Sequence, residues 1–236
     1  MEYKMSEVLY QKIREDLKAK ITQGFYSQGS KLPSETKLQA YYQVSRVTLR
    51  NAVDGLVKEG FIERVQGKGS FIRKPHKVNR LIRESSVESF TKVAHANGLE
   101  PSFEILKIDQ VNCPKQFQGK IGKSIMLYIQ RLCKVDGDPI MWENNYYVLP
   151  RFEQLSNYNL EGSIYSILQK HFGIKNLYSD DTTLSMSPSN LKNSKILNRT
   201  IGFPLFKLET IVRDENKDIV HAGIHYIVSD RYQFKI

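Results

Sequence analysis

Residues 31–60 read "KLPSETKLQAYYQVSRVTLRNAVDGLVKEG", and residues 61–73 continue "FIERVQGKGSFIR". Ser45 stands as the N-cap of a helix in which Leu49, Ala52, Val53, Leu56 and Val57 form one apolar stripe, with Gly60 as its stop. Before it, Ser34 caps a shorter helix running to about Tyr42, with Leu38 and Tyr41 turned inward, and Gln43 and Val44 make the turn. "FIERV" and "SFIRK" read as two short strands around Gln66-Gly67-Lys68-Gly69, where two glycines permit the positive φ of a tight hairpin. Working outward, Leu9, Ile13, Leu17 and Ile21 recur every four residues, with Lys12, Glu15, Asp16, Lys18 and Lys20 between them. That spacing predicts an amphipathic helix over residues 6–22.

Helix, helix, turn, helix and hairpin together make a winged helix-turn-helix, which sets one helix into the major groove of DNA. Val47, Asn51, Asp54 and Lys58 lie opposite the apolar stripe, and Arg46 and Arg50 flank the first turn. A guanidinium there matches the O6/N7 edge of guanine, or a phosphate. Arginines four apart are in themselves an ordinary solvated helix face. The hairpin and the basic segment beside them favour the groove.

The charge balance points the same way. The 236 residues carry 35 Lys/Arg against 25 Asp/Glu, a formal net charge of +10. Residues 1–75 hold 14 Lys/Arg against 8 Asp/Glu, a net of +6, and the remaining 161 hold 21 against 17, a net of +4. Positive charge is denser at the amino end, as a polyanionic partner would require, although charge alone does not separate nucleic acid from an anionic membrane. Cys113 and Cys133 lack the spacing of a zinc site and read as packed thiols, and neither a metal nor another cofactor is expected. The charged start "MEYKMSEVLYQKIREDLKAK" has no apolar core of a signal peptide, and no apolar run is long enough to span a bilayer, so the expected location is cytoplasmic with no membrane partner.

"RKPHKVNRLIRESS", residues 73–86, is basic and lacks periodicity. We therefore expect a head over residues 1–74, a linker over 75–88 and a second domain over 89–236. In that second domain "IMLYIQRLCKV" puts Ile125, Leu127, Ile129, Arg131, Cys133 and Val135 on one strand face, and "VDGDP" turns into the strand "IMWENNYYV". "GSIYSILQKHFG" and "PSNLKNSKILN" are helices, and "PLFKLETIVRDENKDIVHAGIHYIVS" is an antiparallel hairpin. The fold class is α+β, an antiparallel sheet with helices against it following the winged head.

Residues 8–73 resemble the winged-helix domain of GntR-type bacterial transcription regulators. The family pattern is met by "KLPSE", "VSRVTLR", "LVKEGFI" and "GKGSFI". By this resemblance Ser45, Arg46 and Arg50 contact DNA, with Val47 and Thr48 in the same turn, and Gly67 approaches the minor groove. The charge of Lys68 adds a further contact at the wing. Where the family often has an arginine after L-P-S-E, Thr36 and Lys37 follow here, so that contact is weakened or shifts to Lys37. Val47 is apolar where a polar residue is common and suits a thymine methyl.

The second domain resembles the ligand-binding (UTRA) domain of the HutC-like branch, related in fold to chorismate lyase. "ESFTKVA", "IQRLCKVDGDPIMWENNYY", "GSIYSIL" and "VSDRYQF" carry that likeness. It implies a homodimer on a palindromic operator and a small effector, with a sugar phosphate as the favoured class and repression as the favoured sign. The positions matching Ser89, Thr91, Arg131 and Ser163 surround the phosphate in relatives, with Phe90 inside the first motif, and those matching Glu143 and Tyr165 hold the sugar. His221 stands where some relatives carry a sugar-binding glutamate, Cys133 replaces the second arginine of a pair, and Tyr226 and Ile227 compete for a pocket tyrosine. Physically, Arg131 shares a strand face with Leu127 and Ile129, so an anion must meet it, either a neighbouring acid or a ligand. Trp142 points to the opposite face from Glu143. An architectural DNA-binding protein without effector, and a chorismate-lyase-like enzyme bearing a DNA-binding head, are the alternative readings.

Overall fold

Leu17, Leu49 and Leu56 are wholly excluded from solvent, and the helices that carry them close on one another to form the first of two units. The structure is a computed structural model that describes residues 2–73, 77–81, 87–122 and 124–235. In the first unit α1 spans Glu2–Thr22, α2 Glu35–Tyr42 and α3 Arg46–Lys58, followed by the antiparallel strands β1, Ile62–Val65, and β2, Gly69–Ile72. Ser34 accepts a hydrogen bond from the Lys37 amide and Ser45 one from the Thr48 amide, so both helices start on the expected caps. Gly67 and Gly69 hold φ of 72° and 108° in the hairpin turn.

Three positions depart from the sequence pattern. Leu9, the first residue of the α1 stripe, is 42% exposed. Tyr41 is 67% exposed, and it is Tyr42 that packs against the core. Spacings of three and four residues from Leu38 both reach the inner face, and Asp16 decides between them by accepting a 2.6 Å hydrogen bond from the Tyr42 hydroxyl. Lys18, assigned to the polar face of α1, is buried with Arg14 against Glu59: Lys18 Nζ lies 2.7 Å from one carboxylate oxygen and Arg14 Nε 3.3 Å from the other. Gly55 makes room for this, since a Cβ there would stand 2.8 Å from Arg14 Cδ.

The second unit is built on a six-stranded sheet in the order β4-β5-β6-β9-β8-β7. Its elements in chain order are β3 (Val78–Leu81), α4 (Phe90–Ala96), β4 (Pro101–Asn112), α5 (Gln118–Ile121), β5 (Ile125–Val135), β6 (Asp138–Val148), α6 (Ile164–Phe172), β7 (Leu177–Pro188), α7 (Leu191–Leu197), β8 (Pro204–Asp214), β9 (Ile219–Val228) and β10 (Tyr232–Lys235). Positive φ at Asp136 and Gly137 makes the tight β5-β6 turn. Leu127 and Ile129 of β5 pack with Ile164 and Leu168 of α6, while Cys133 and Val135 pack with Phe90, Val93 and Ala94 of α4. The other face holds Leu132, Trp142 and Val228 against Leu197 of α7. Trp142 is thus set away from Glu143, as the alternation of a strand requires.

The segment read as a linker is not wholly irregular, because β3 falls inside it and pairs in parallel with β10, with Arg80 opposite Phe234. Its residues 74–76 and 82–86 lie outside the described residues. The four residues Val78, Asn79, Arg80 and Leu81 do not alternate, so nothing in them marks a strand without the partner.

The shared carboxylate of Glu59 gives the first test. Glu59→Ala leaves two buried cations without it, and the full chain is expected to lose roughly 3 kcal/mol in urea unfolding. A loss under about 0.5 kcal/mol, the scale of a surface change, would contradict a structural role for the cluster.

Candidate functional site

The head exposes all but one of the residues named for DNA contact. Arg46, Val47 and Arg50 of α3 are exposed, as are Ser45, Thr36, Lys37, Gly67 and Lys68. Glu35 lies 3.9 Å from Arg46 and 3.4 Å from Arg64, and Arg64 also pairs with Asp54. Arg64 is therefore largely neutralised, whereas no hydrogen bond or ion pair among the described residues ties down Arg50. Thr48 corrects the sequence reading: it is buried at 9% exposure, and its hydroxyl lies 2.8 Å from that of Ser45. Three residues after the cap, its side chain turns back over the helix start, which suits it to hold Ser45 rather than to reach a base.

The second unit brings together most of the residues named for an effector. A narrow cleft is walled by Ser89, Phe90 and Thr91 of the α4 start, Arg131 and Glu143 of β5 and β6, Ser163 and Tyr165 of the α6 start, and His221 of β9. The Ser89 and Ser163 hydroxyls accept from the amides of Lys92 and Ser166, which fixes both caps at the rim. Tyr226 is not in the cleft. It stacks on Trp142 across the opposite face, with ring centroids 5.3 Å apart. The register places Glu143 against His225 and Trp142 against Tyr226, so odd-numbered residues of β9 face the cleft.

The buried Arg131 meets a neighbouring acid. Its Nε and Nη2 donate to Glu143 Oε2 at 2.9 and 2.6 Å, and its Nη1 donates to the carbonyls of Leu160 and Gly162 at 2.9 and 2.7 Å. The Phe103 ring covers the guanidinium at 4.4 Å. Burial by itself would raise the Glu143 carboxyl, but Arg131 outweighs it and holds the pKa below the usual value. Arg131 thereby fixes the loop that delivers Ser163. Burial pushes the Cys133 thiol well above its ordinary pKa, so the thiol stays protonated beside the pair.

Seven lining residues escaped the sequence reading, Glu88, Phe103 and Ile164 among them. Asn145 and Tyr147 follow Glu143 at the strand period of two and could have been found by it. His225 is placed by register and Arg80 by the β3-β10 pairing, neither of which one strand's pattern contains. Among the described residues, Thr91 Oγ1, Tyr147 OH and His225 Nδ1 are buried without a hydrogen-bond partner. Such atoms cost free energy unless something meets them, and they mark where a polar ligand would do so. No group of His, Cys, Asp and Glu suited to a metal ion occurs among the described residues.

Comparison with known proteins accords with both halves. "Bacterial regulatory proteins, gntR family" matches residues 9–72 and "UTRA domain" matches residues 96–233. The chain is 28% identical over 234 residues to the "Probable fructoselysine utilization operon transcriptional repressor" of Escherichia coli (strain K12), covering 98% of this chain and 94% of that protein. It is 23% identical over 229 residues to the "HTH-type transcriptional repressor NagR" of Bacillus subtilis, covering 96% and 93%. Of solved structures, PhnF from Mycobacterium smegmatis superposes with a TM-score of 0.62 at 19% identity, over 94% of this chain and 96% of that one. YydK from Bacillus subtilis gives 0.54 at 22% identity, over 97% and 98%. At these identities the superpositions bear on the fold alone.

The two cleft histidines supply a pH test. Burial pulls His221 and His225 from 6.5 down to about 4. Between those values the unfolded chain binds more protons than the folded one, so stability falls as pH drops from about 6.5 towards 4. Each pKa unit is worth about 1.4 kcal/mol per group. The urea midpoint is expected to decline over that window and to decline less in His225→Gln; equal slopes in both proteins would contradict a buried neutral imidazole.

Proposed function

This chain belongs to the gntR-family regulators that carry a UTRA domain, and from that premise we propose that it is a cytoplasmic homodimeric repressor whose operator affinity is set by a phosphorylated sugar in the cleft. The observation that carries the effector half is the set of unpartnered buried groups, Thr91 Oγ1, Tyr147 OH and His225 Nδ1, around the Arg131–Glu143 pair. Hydroxyl donors of a sugar suit the acceptor on His225 and the Glu143 carboxylate, and an anionic group suits the hydroxyls and free amides at the start of α6. The name of the Escherichia coli relative, a fructoselysine utilization repressor, supports a sugar-derived effector.

For the DNA half, Arg46 and Arg50 enter the major groove, Val47 touches a thymine methyl, and Lys37 and Lys68 bind flanking phosphates. Two such heads on a palindrome read half-sites roughly 34 Å apart. An effector lowers operator affinity only if it binds more tightly to the arrangement that does not fit the operator. Arg131 acts here as a positioning residue, because its donors hold Glu143 and the 160–162 loop.

Two measurements test this reading. Arg50→Ala is expected to weaken binding to the chain's own upstream DNA about tenfold or more with the melting temperature unchanged; unaltered binding in a gel shift would remove Arg50 from the interface. In thermal melts against sugars and their phosphates, a bound effector at 100-fold its Kd should stabilise the protein by about 2.7 kcal/mol. A shift with phosphorylated members alone is expected, and a flat response across the panel would contradict an effector of this class.

A further inference from the structure

We propose that Arg80, on the strand that follows the head, is the residue that receives the anionic group of the effector. The inference rests on the reading of the cleft as a site for an anionic metabolite and names the cation that serves it.

Arg131 is matched by Glu143, and its contacts use four of its five N–H groups. Glu88 is matched by Lys92, 3.1 Å away. Burial keeps His221 and His225 neutral at pH 7. Arg80 is the remaining charge of the lining. Its Nη2 donates to the Glu88 carbonyl at 3.1 Å, its guanidinium also meets the Tyr232 hydroxyl and feels the Glu143 charge, and no ion pair with a carboxylate joins it among the described residues. The formal charges of the lining, Arg80 and Arg131 against Glu88 and Glu143, cancel, but the half-buried Arg80 guanidinium is the lining cation that no carboxylate ion-pairs among the described residues. A planar guanidinium with donors to spare binds a phosphate or carboxylate bidentately. The unpartnered Thr91 Oγ1 and Tyr147 OH line the same cleft and offer further donors to the same anion.

The placement of Arg80 has a mechanical consequence. Ile72 ends β2, the last strand of the head, and Val78 opens β3, so Arg80 lies only a few residues beyond the DNA-binding unit along the chain. β3 is a four-residue strand held in parallel pairing by β10. An anion bound by Arg80 adds a tether to that short strand. Occupancy of the cleft then acts directly on the segment through which the head is attached.

The test uses the full-length protein and calorimetric titration with inorganic phosphate and with fructose 6-phosphate. Wild type is expected to bind, and Arg80→Gln to bind at least about tenfold more weakly, with its unliganded melting temperature and its operator affinity unchanged. Binding by Arg80→Gln within about twofold of wild type would overturn the assignment while leaving the cleft reading intact. Failure of wild type to bind either probe would overturn that reading, and this inference with it. Should Arg80→Gln lower the unliganded melting temperature, Arg80→Lys decides, since it keeps the charge and loses the planar fork. A weakening of about threefold or more is then expected, and unchanged affinity would count against Arg80.

Discussion

The second unit is organised by a buried ion pair. Arg131 is 4% and Glu143 7% exposed, so each charge has given up most of its hydration, and neither would be tolerated there alone. The pair does more than cancel its own cost. Through the Leu160 and Gly162 carbonyls Arg131 fixes the loop that ends in Ser163, and Glu143 stands in register with His225 on the neighbouring strand. The two helix starts, the two histidines and the open volume between them are arranged around one salt bridge. Its neutrality leaves the cleft's affinity for an anion to other groups.

A similar device operates in the head at a smaller scale. Arg14 and Lys18 of α1 converge on Glu59, just beyond α3, and Gly55 clears the path of the Arg14 side chain. A buried charge cluster contributes little net stability, but it penalises any other angle between the two helices. Helix α3 is thus oriented by an interaction on its inner side and capped at Ser45, while Arg50 remains unpaired among the described residues on its outer side.

Much of this was legible in the sequence where the governing interactions are local. The caps at Ser34 and Ser45, the glycine hairpin and the face of β5 follow from spacing within one element, and the structure has all of them. What was not legible depended on partners distant in the chain. Tyr42 rather than Tyr41 packs inward because Asp16 supplies the acceptor, and Thr48 turns in to its cap. Tyr226 leaves the cleft because the β6-β9 register sets it on Trp142. Arg80 was passed over because β3 is defined by its pairing with β10, which no pattern within residues 75–88 contains. Composition described that stretch as basic linker, and its basicity has at least one specific address.

Head and cleft are parts of one regulator only if occupancy of the second changes the behaviour of the first. The direct measurement is fluorescence anisotropy of labelled upstream DNA with the full-length protein, at fixed salt, with and without a saturating phosphorylated sugar that shifts its melting temperature. Operator affinity is expected to fall about tenfold or more with the phosphorylated sugar, corresponding to about 1.4 kcal/mol of coupling, and to be unchanged with its unphosphorylated parent. Equal affinity in all three conditions would contradict the coupling on which a regulatory function depends.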